Sequence, residues 1–248
     1  MNMERIILPT TDEPEAQVNK VIVDDRLVIG TITGLVKKNN EDRIGYLAHD
    51  DITRVCIADG HWGAEVAQII TKHWLEPSLD FPVSKKTAIL KTGSVENEIY
   101  KAFGRLVMNP DKDFTPEASF VAVQISQKVI SMASYGDCRL LIVQSGKITY
   151  EQPTTSTWLG VFSHSGLRGR LSVEEATIYK ELPLENGSSV LIFTDGVDEC
   201  IYEKPTISLD TLANLANQDS PEAVFNSILD EVFAYGAEDN ASLAIVKN

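Results

Sequence analysis

Four aspartates in this chain stand in similar surroundings, each at one end of an apolar run with turn residues beside it. Asp42 precedes the run from Ile44, and Asp59-Gly60 follows Val55 to Ala58. Asp195-Gly196 follows Val190 to Thr194, and Asp239 precedes Ala241 to Val246. Strand ends in a packed sheet can bring such residues to one place. Carboxylates crowded into a low-dielectric site repel one another strongly, so a cluster of this kind persists mainly when a cation neutralises it. Oxygen ligands select hard ions, Mg²⁺, Mn²⁺ or Ca²⁺, over zinc. Each piece also has a plain structural reading. Asp-Gly after a strand is a common turn signal, His61 suits a helix start or a core, and Lys37 alone is a surface lysine.

The elements that must position these residues are short and β-rich. Strands are predicted over 27–36, 43–48, 53–58, 119–125, 129–134, 139–144, 175–181, 189–194 and 241–247, where β-branched, aliphatic and aromatic residues are bounded by turn residues. Ser126-Gln127 and Gly136-Asp137 separate consecutive runs at hairpin distance, which argues for an antiparallel meander and against a parallel βαβ series. Three helices are signalled. Val66, Ile70 and Trp74 form one face after Gly63, with Pro77 as the stop. A second helix is expected to start near Ser94, with Ile99, Ala102, Phe103 and Leu106 on its face and Pro110 beyond its end. The third has Ser220 as N-cap, Pro221 at the first position and Gly236 at the close. Its end leads into Glu238-Asp239-Asn240, a loop where side chains can converge.

The 248 residues carry 22 Lys and Arg against 36 Asp and Glu, a net charge of −14. That balance repels nucleic acid and anionic lipid and argues against both as partners. Apolar residues make up 43% and charged residues 23%, as in ordinary globular domains, so a disordered chain is excluded. No run is long enough to span a membrane, and the start lacks the build of a secretion signal, so a cytoplasmic protein is expected. Cys56, Cys138 and Cys200 are odd in number and flanked by apolar residues, the pattern of buried free thiols. No linker or repeat divides the chain after Arg26. Residues 1–20 are separable as either an added edge strand or a loose arm, and 21–248 read as one domain.

The order and wording of these segments together resemble the metal-dependent type 2C serine/threonine protein phosphatases in their bacterial form. Gly34-Leu35-Val36-Lys37-Lys38-Asn39-Asn40-Glu41-Asp42-Arg43 is similar to the family's first motif, and Ala58-Asp59-Gly60-His61-Trp62-Gly63 to its second. Ser134-Tyr135-Gly136-Asp137-Cys138-Arg139 resembles the Gly-Asp-Ser-Arg motif, Phe193-Thr194-Asp195-Gly196-Val197 the late Asp-Gly motif, and Glu238-Asp239-Asn240 the final Asp-Asn. Ordered motifs of this kind are far more specific than any one alone.

The resemblance implies an α+β fold in which two antiparallel sheets pack as a sandwich with helices on the outer faces, a four-layer αββα arrangement. It implies two Mn²⁺ or Mg²⁺ ions, with Asp59 bridging, the Gly60 carbonyl as a further ligand and Asp195 and Asp239 on one ion. Asp42 and Glu41 would act through metal-bound water. Two such cations lower the pKa of a bridging water and clamp phosphoryl oxygens during in-line attack. His61 matches the proposed general acid. Asp137 matches a ligand of a third metal, with a hairpin-turn role as the equal alternative, and Glu199 stands where another such acid is found. Asn240 would order the loop around Asp239. Lys37 replaces an arginine that grips substrate phosphate, offering a point charge in place of a two-pronged hydrogen bond. Cys138 replaces the motif serine, and the segment before Trp158-Leu159-Gly160 is short. The implied activity is hydrolysis of phosphoserine and phosphothreonine in proteins by a monomer that opposes a kinase. A phosphoprotein-binding pseudophosphatase and a hydrolase of small phosphoesters are the alternatives on the same fold.

Overall fold

The computed structural model describes residues 3–9, 18–49, 52–103, 116–126, 128–160, 171–201 and 204–248. The first part of the chain holds β1 (Glu4–Leu8), β2 (Asn19–Ile22), β3 (Leu27–Ile32), β4 (Arg43–His49), β5 (Ile52–His61), α1 (Glu65–Trp74) and α2 (Lys85–Phe103). The middle holds β6 (Glu117–Ser126), β7 (Val129–Tyr135), β8 (Arg139–Gln144), β9 (Lys147–Glu151), β10 (Leu159–Gly160) and the short α3 (Val173–Ala176). The last part holds β11 (Ile178–Pro183), β12 (Ser188–Phe193), α4 (Leu209–Leu215), α5 (Pro221–Ala234) and β13 (Ala241–Lys247).

The strands form two antiparallel sheets. One runs β1-β4-β5-β6-β7-β11, with β10 added to β6, and the other runs β2-β3-β13-β12-β8-β9. Three apolar cores separate four layers. Ile44, Tyr46, Val55, Ile57, Val121 and Val123 of the first sheet meet Ile29, Leu140, Ile142, Val190 and Ile192 of the second. Alternate residues of the same strands point outward: Leu191 and Phe193 meet α4 and α5, and Phe120 and Ala122 meet α1 and α2. Central strands covered on both faces lose polar alternation, so β12 reads in sequence as an unbroken apolar run. This is the four-layer α+β sandwich expected.

Four elements depart from their predicted bounds. β5 runs past residue 58 to His61, because Asp59, Gly60 and His61 continue the pairing with Ser119, Ala118 and Glu117 of β6. β3 stops at Ile32, short of residue 36, because the Thr33 carbonyl accepts a hydrogen bond from the Asn240 side chain and the chain turns away from the sheet. α2 begins at Lys85 and not near Ser94. The Ser84 hydroxyl accepts from the Thr87 amide at its start, and Ala88, Thr92, Val95 and Ile99 form its buried face. Gly93 lies within it, where a Cβ would touch nothing within 4 Å, so the residue that looks like a break costs only about 1 kcal/mol. The run predicted as a strand over 175–181 opens as α3, held by a reciprocal capping pair of Ser172 and Glu175, before β11 begins at Ile178. Leu106 and Pro110 lie outside the described residues. At the other end of the chain, β1 pairs with β4 and β2 with β3, so each sheet gains an edge strand. The three cysteines are free and buried, and among the described residues no helix is long and apolar enough to cross a membrane.

α1 is fixed to its sheet through Trp74, which is fully buried. Its ring lies 5.2 Å from that of Phe120 and 5.6 Å from that of Phe81. Trp74→Ala is expected to lower unfolding free energy in denaturant titration by about 3–5 kcal/mol, the usual cost of emptying an aromatic core position.

Candidate metal centre

Antiparallel pairing places the start of β4, the end of β5, the β7–β8 turn, the end of β12 and the start of β13 at one end of the sandwich. Arg43 stands opposite Ala58, and Phe193 stands opposite both Arg139 and Leu243. Asp42, Asp59, Asp137, Asp195 and Asp239 therefore arrive together from segments far apart in sequence, Asp59 from within the end of β5. The loops pack tightly. A Cβ on Gly60 would run into the Glu41 carbonyl oxygen, and one on Gly196 into that of Asn240. The two Asp-Gly glycines are thus needed for close backbone approach, a stronger requirement than an ordinary turn.

Asp42 is buried beneath this cluster and is held by hydroxyls from the other sheet. Its Oδ2 accepts from Thr194 Oγ1 at 2.9 Å and from Ser242 Oγ at 2.8 Å. Ser242 Oγ is also 2.8 Å from Thr31 Oγ1. Ser242 has one hydroxyl proton to direct at Asp42 or at Thr31. Asn40 Nδ2 completes the chain by donating to Thr31 at 2.8 Å. Asn240 laces the same loops from above: its Oδ1 accepts from the Glu41 amide at 2.9 Å, and its Nδ2 donates to the carbonyls of Thr33 and, at 3.1 Å, Asn39. Asp42 is thus tied to the protein, while Asp59 is left exposed to the charge of its neighbours.

Asp59 Oδ2 and Asp137 Oδ1 are buried and have no hydrogen-bond partner. Burial pushes the Asp59 carboxyl well above the usual carboxylate range, and the charges of Asp195, Asp42, Asp137 and Asp239 push it further. Asp195 is raised for the same two reasons, burial first and then Asp137, Asp239, Asp42 and Glu199. Asp42 is pushed up to about 7 by burial, against the pull of its two hydroxyl donors. Carboxylates gathered this closely favour keeping protons on Asp42, Asp59 and Asp195, the signature of a strongly negative field.

Lys37 Nζ sits 2.8 Å from Asp239 Oδ1 and 4.0 Å from Glu41 Oε2. Burial alone would lower the Lys37 pKa, but the hydrogen bond and charge of Asp239, with Glu41 and Asp42, outweigh it and raise it. Glu41 is raised mainly by burial. The lysine expected to hold phosphate thus lies on a carboxylate expected to hold metal. His61 Nε2 is 3.9 Å from Asp59 Oδ1, too long for a hydrogen bond, and its ring meets the edge of Trp158 at 5.2 Å. Burial holds His61 below its ordinary range, with Asp137 pulling the other way. Glu199 follows the turn after Asp195, its amide donating to the Asp195 carbonyl at 2.6 Å. Arg139 pairs with Asp198 at 3.3 Å, and Asp198, raised to about 6 chiefly by burial, is not singled out by the sequence. Nor are Thr31, Thr194, Ser242 and Trp158. The signal for the first three is a hydroxyl in a strand, or next to one, that is otherwise buried and apolar; Trp158 carries none.

Among the described residues no three His, Cys, Asp or Glu side chains are already drawn together as ligands of one ion. The carboxylates nonetheless lie close enough for each of Asp59 and Asp195 to feel the charge of the others. Divalent Mn²⁺ or Mg²⁺ fits these residues on their chemistry: all-oxygen donors, excess negative charge and two buried oxygens lacking partners.

The sandwich and its acidic end define a protein of the type 2C phosphatase fold class. Residues 87–247 match the family described as Stage II sporulation protein E (SpoIIE). The chain belongs to that family, within the bacterial type 2C-like group. The matched stretch carries Asp137, Asp195 and Asp239, while Lys37, Asp42, Asp59 and His61 precede it. No curated relative matches in sequence. Among solved structures, the chain is similar to an arginine-to-alanine variant of a bacterial serine phosphatase, with a TM-score of 0.70 and 13% identity over 94% of this chain and 99% of that one. The serine/threonine phosphatase of S. agalactiae gives 0.68 and 16% over 89% and 98%. The catalytic domain of the serine/threonine protein phosphatase PstP in complex with two manganese ions gives 0.63 and 15% over 90% and 97%, and the PstP phosphatase of Mycobacterium tuberculosis gives 0.65 and 15% over 90% and 99%.

Raised carboxyls have a consequence for stability. The folded protein keeps protons on Asp42 that the unfolded chain releases near pH 4, so this contribution is present below that pH and is lost as pH rises through about 7. The melting temperature of metal-free protein is expected to fall between pH 5 and 8, and Asp42→Asn is expected to flatten the decline.

Proposed function

We propose that the protein is a Mn²⁺- or Mg²⁺-dependent phosphatase acting on phosphoserine and phosphothreonine in proteins. The observation that carries this reading is the buried Asp59 oxygen without a partner, surrounded by the charges of four further aspartates. Membership of the SpoIIE family and a fold shared with serine/threonine phosphatases support it.

In this reading Asp59, the Gly60 carbonyl, Asp195 and Asp239 hold two cations, while Glu41 and Asp42 act through ordered water and Asp137 and Glu199 hold a third ion. Such cations supply Lewis-acid stabilisation of phosphoryl charge and a nucleophilic water at neutral pH. The remaining work falls to the protein's own groups. Asp42, pinned by Thr194 and Ser242, fixes the floor against which substrate is aligned. Lys37 exchanges its contact with Asp239 for a phosphoryl oxygen and contributes a point charge. His61 gives its proton to the departing serine or threonine oxygen. Because burial lowers the His61 pKa, the proton-donating form declines on the acid side of the ordinary histidine range. Asn240 keeps the loops of Glu41 and Asp239 in register. The catalytic unit takes in the edge strands β1 and β2 as well as residues 21–248, and acts as a cytoplasmic monomer opposing a serine/threonine kinase.

The test is phosphate release from a phosphothreonine peptide with Mn²⁺ and then with excess chelator. Turnover that chelator abolishes is expected, and Asp59→Asn is expected to remove it. His61→Ala should slow the peptide by roughly 10²–10⁴-fold but slow p-nitrophenyl phosphate much less, since that leaving group departs without a proton. Full turnover in chelator would overturn the proposal.

A further inference from the structure

Trp62 directly follows His61 and holds φ at +65°. That left-handed conformation is rare for an aromatic residue, and strain of this kind concentrates where function requires it. The side chain is 52% exposed. On the loop that carries the other candidate catalytic side chain, Leu35 and Val36 immediately precede Lys37 and are 59% and 71% exposed. Leu35 is held in place by its amide, which donates to the Ala237 carbonyl at 2.6 Å. Single exposed apolar residues are ordinary. Here three of them are next to Lys37 or His61 in sequence: Leu35 and Val36 directly before Lys37, and Trp62 directly after His61 at the end of β5. Beside these segments lies a polar cleft of about 240 Å³, lined by Asn39, Glu41, Gly63, Glu65 and Gln68 among others.

We infer that Trp62, Leu35 and Val36 form a specificity-determining rim that takes an apolar side chain next to the phosphorylated residue of a polypeptide substrate. The inference rests on the phosphatase reading and narrows it. The occupant is an extended peptide: its phosphoryl group reaches the carboxylate centre, its flanking apolar side chain covers the rim, and its polar main chain suits the adjoining cleft. A small phosphoester has no group to lay on these residues, and a highly charged flank would leave three apolar side chains in water.

Two phosphothreonine peptides differing only in Leu or Ala on the flanks of the phosphothreonine provide the test. The Leu peptide is expected to show kcat/KM about tenfold higher, the usual worth of an apolar side chain in a pocket. The difference should fall mainly in KM, because the flank is held alike before and during reaction. Trp62→Gly should bring the ratio close to one and raise the melting temperature, since glycine adopts this φ freely. Leu35→Ser with Val36→Ser is the second variant, expected to lower the ratio without touching the strained position. A ratio near one in the unaltered protein, or a ratio retained in both variants, would overturn the rim. Absence of turnover on every peptide would count against the phosphatase reading instead. Polarisation binding of the same labelled peptides then still reads the rim, and equal affinities would overturn it.

Discussion

Mutual repulsion among carboxylates buried at one end of a β-sandwich is the constraint on which the rest of this structure turns. Asp59 and Asp195 are each raised well above the carboxylate range by burial and by the acids around them, and a fold gains nothing from such an arrangement by itself. It must be held together by other means. Three stacked apolar cores supply the general stability, and the local restraint comes from neutral polar groups. Thr194 and Ser242 on the second sheet grip Asp42, and Asn240 ties the loop of Glu41 to that of Asp239. These hydrogen bonds cross between sheets, so the acidic loops cannot relax apart without breaking the sandwich end.

Lys37 is the local counter-charge in this state. Its 2.8 Å contact with Asp239 neutralises one carboxylate of the cluster and keeps the loop between β3 and β4 over the centre. A lysine suits that exchange between partners: it is a compact charge on a flexible stem, with no fixed fork that one geometry must satisfy. The same loop carries Leu35 and Val36, so the position of Lys37 and the position of the apolar rim are set together.

Much of this is legible in sequence because each site residue stands beside a strand end. Alternation lost in double-sided burial still leaves apolar runs of strand length, and turn residues mark where Asp42, Asp59, Asp195 and Asp239 must lie. What stays hidden depends on contacts between distant segments. Thr194 and Ser242 look ordinary until antiparallel pairing of β12 with β13 aims both at Asp42. The start of α2 is obscured because local propensity at Gly93-Ser94 argues for a break, whereas the buried face from Ala88 to Ile99 continues through it. α3 escapes a periodicity reading because a reciprocal cap, not a repeating apolar face, makes so short a helix. The capture of Lys37 by Asp239 has no sequence signal, since it follows from loop packing alone.

The most direct test of the central claim is a calorimetric Mn²⁺ titration of chelator-treated protein in two buffers of different ionisation enthalpy. The expected result is binding of at least two equivalents with net proton release near pH 7, as Asp42, pushed up to about 7 by burial, gives up its proton. Loss of that binding in Asp59→Asn is also expected. Absence of binding, or binding without proton release that persists in Asp59→Asn, would contradict the claim that this carboxylate cluster is built to be neutralised by metal.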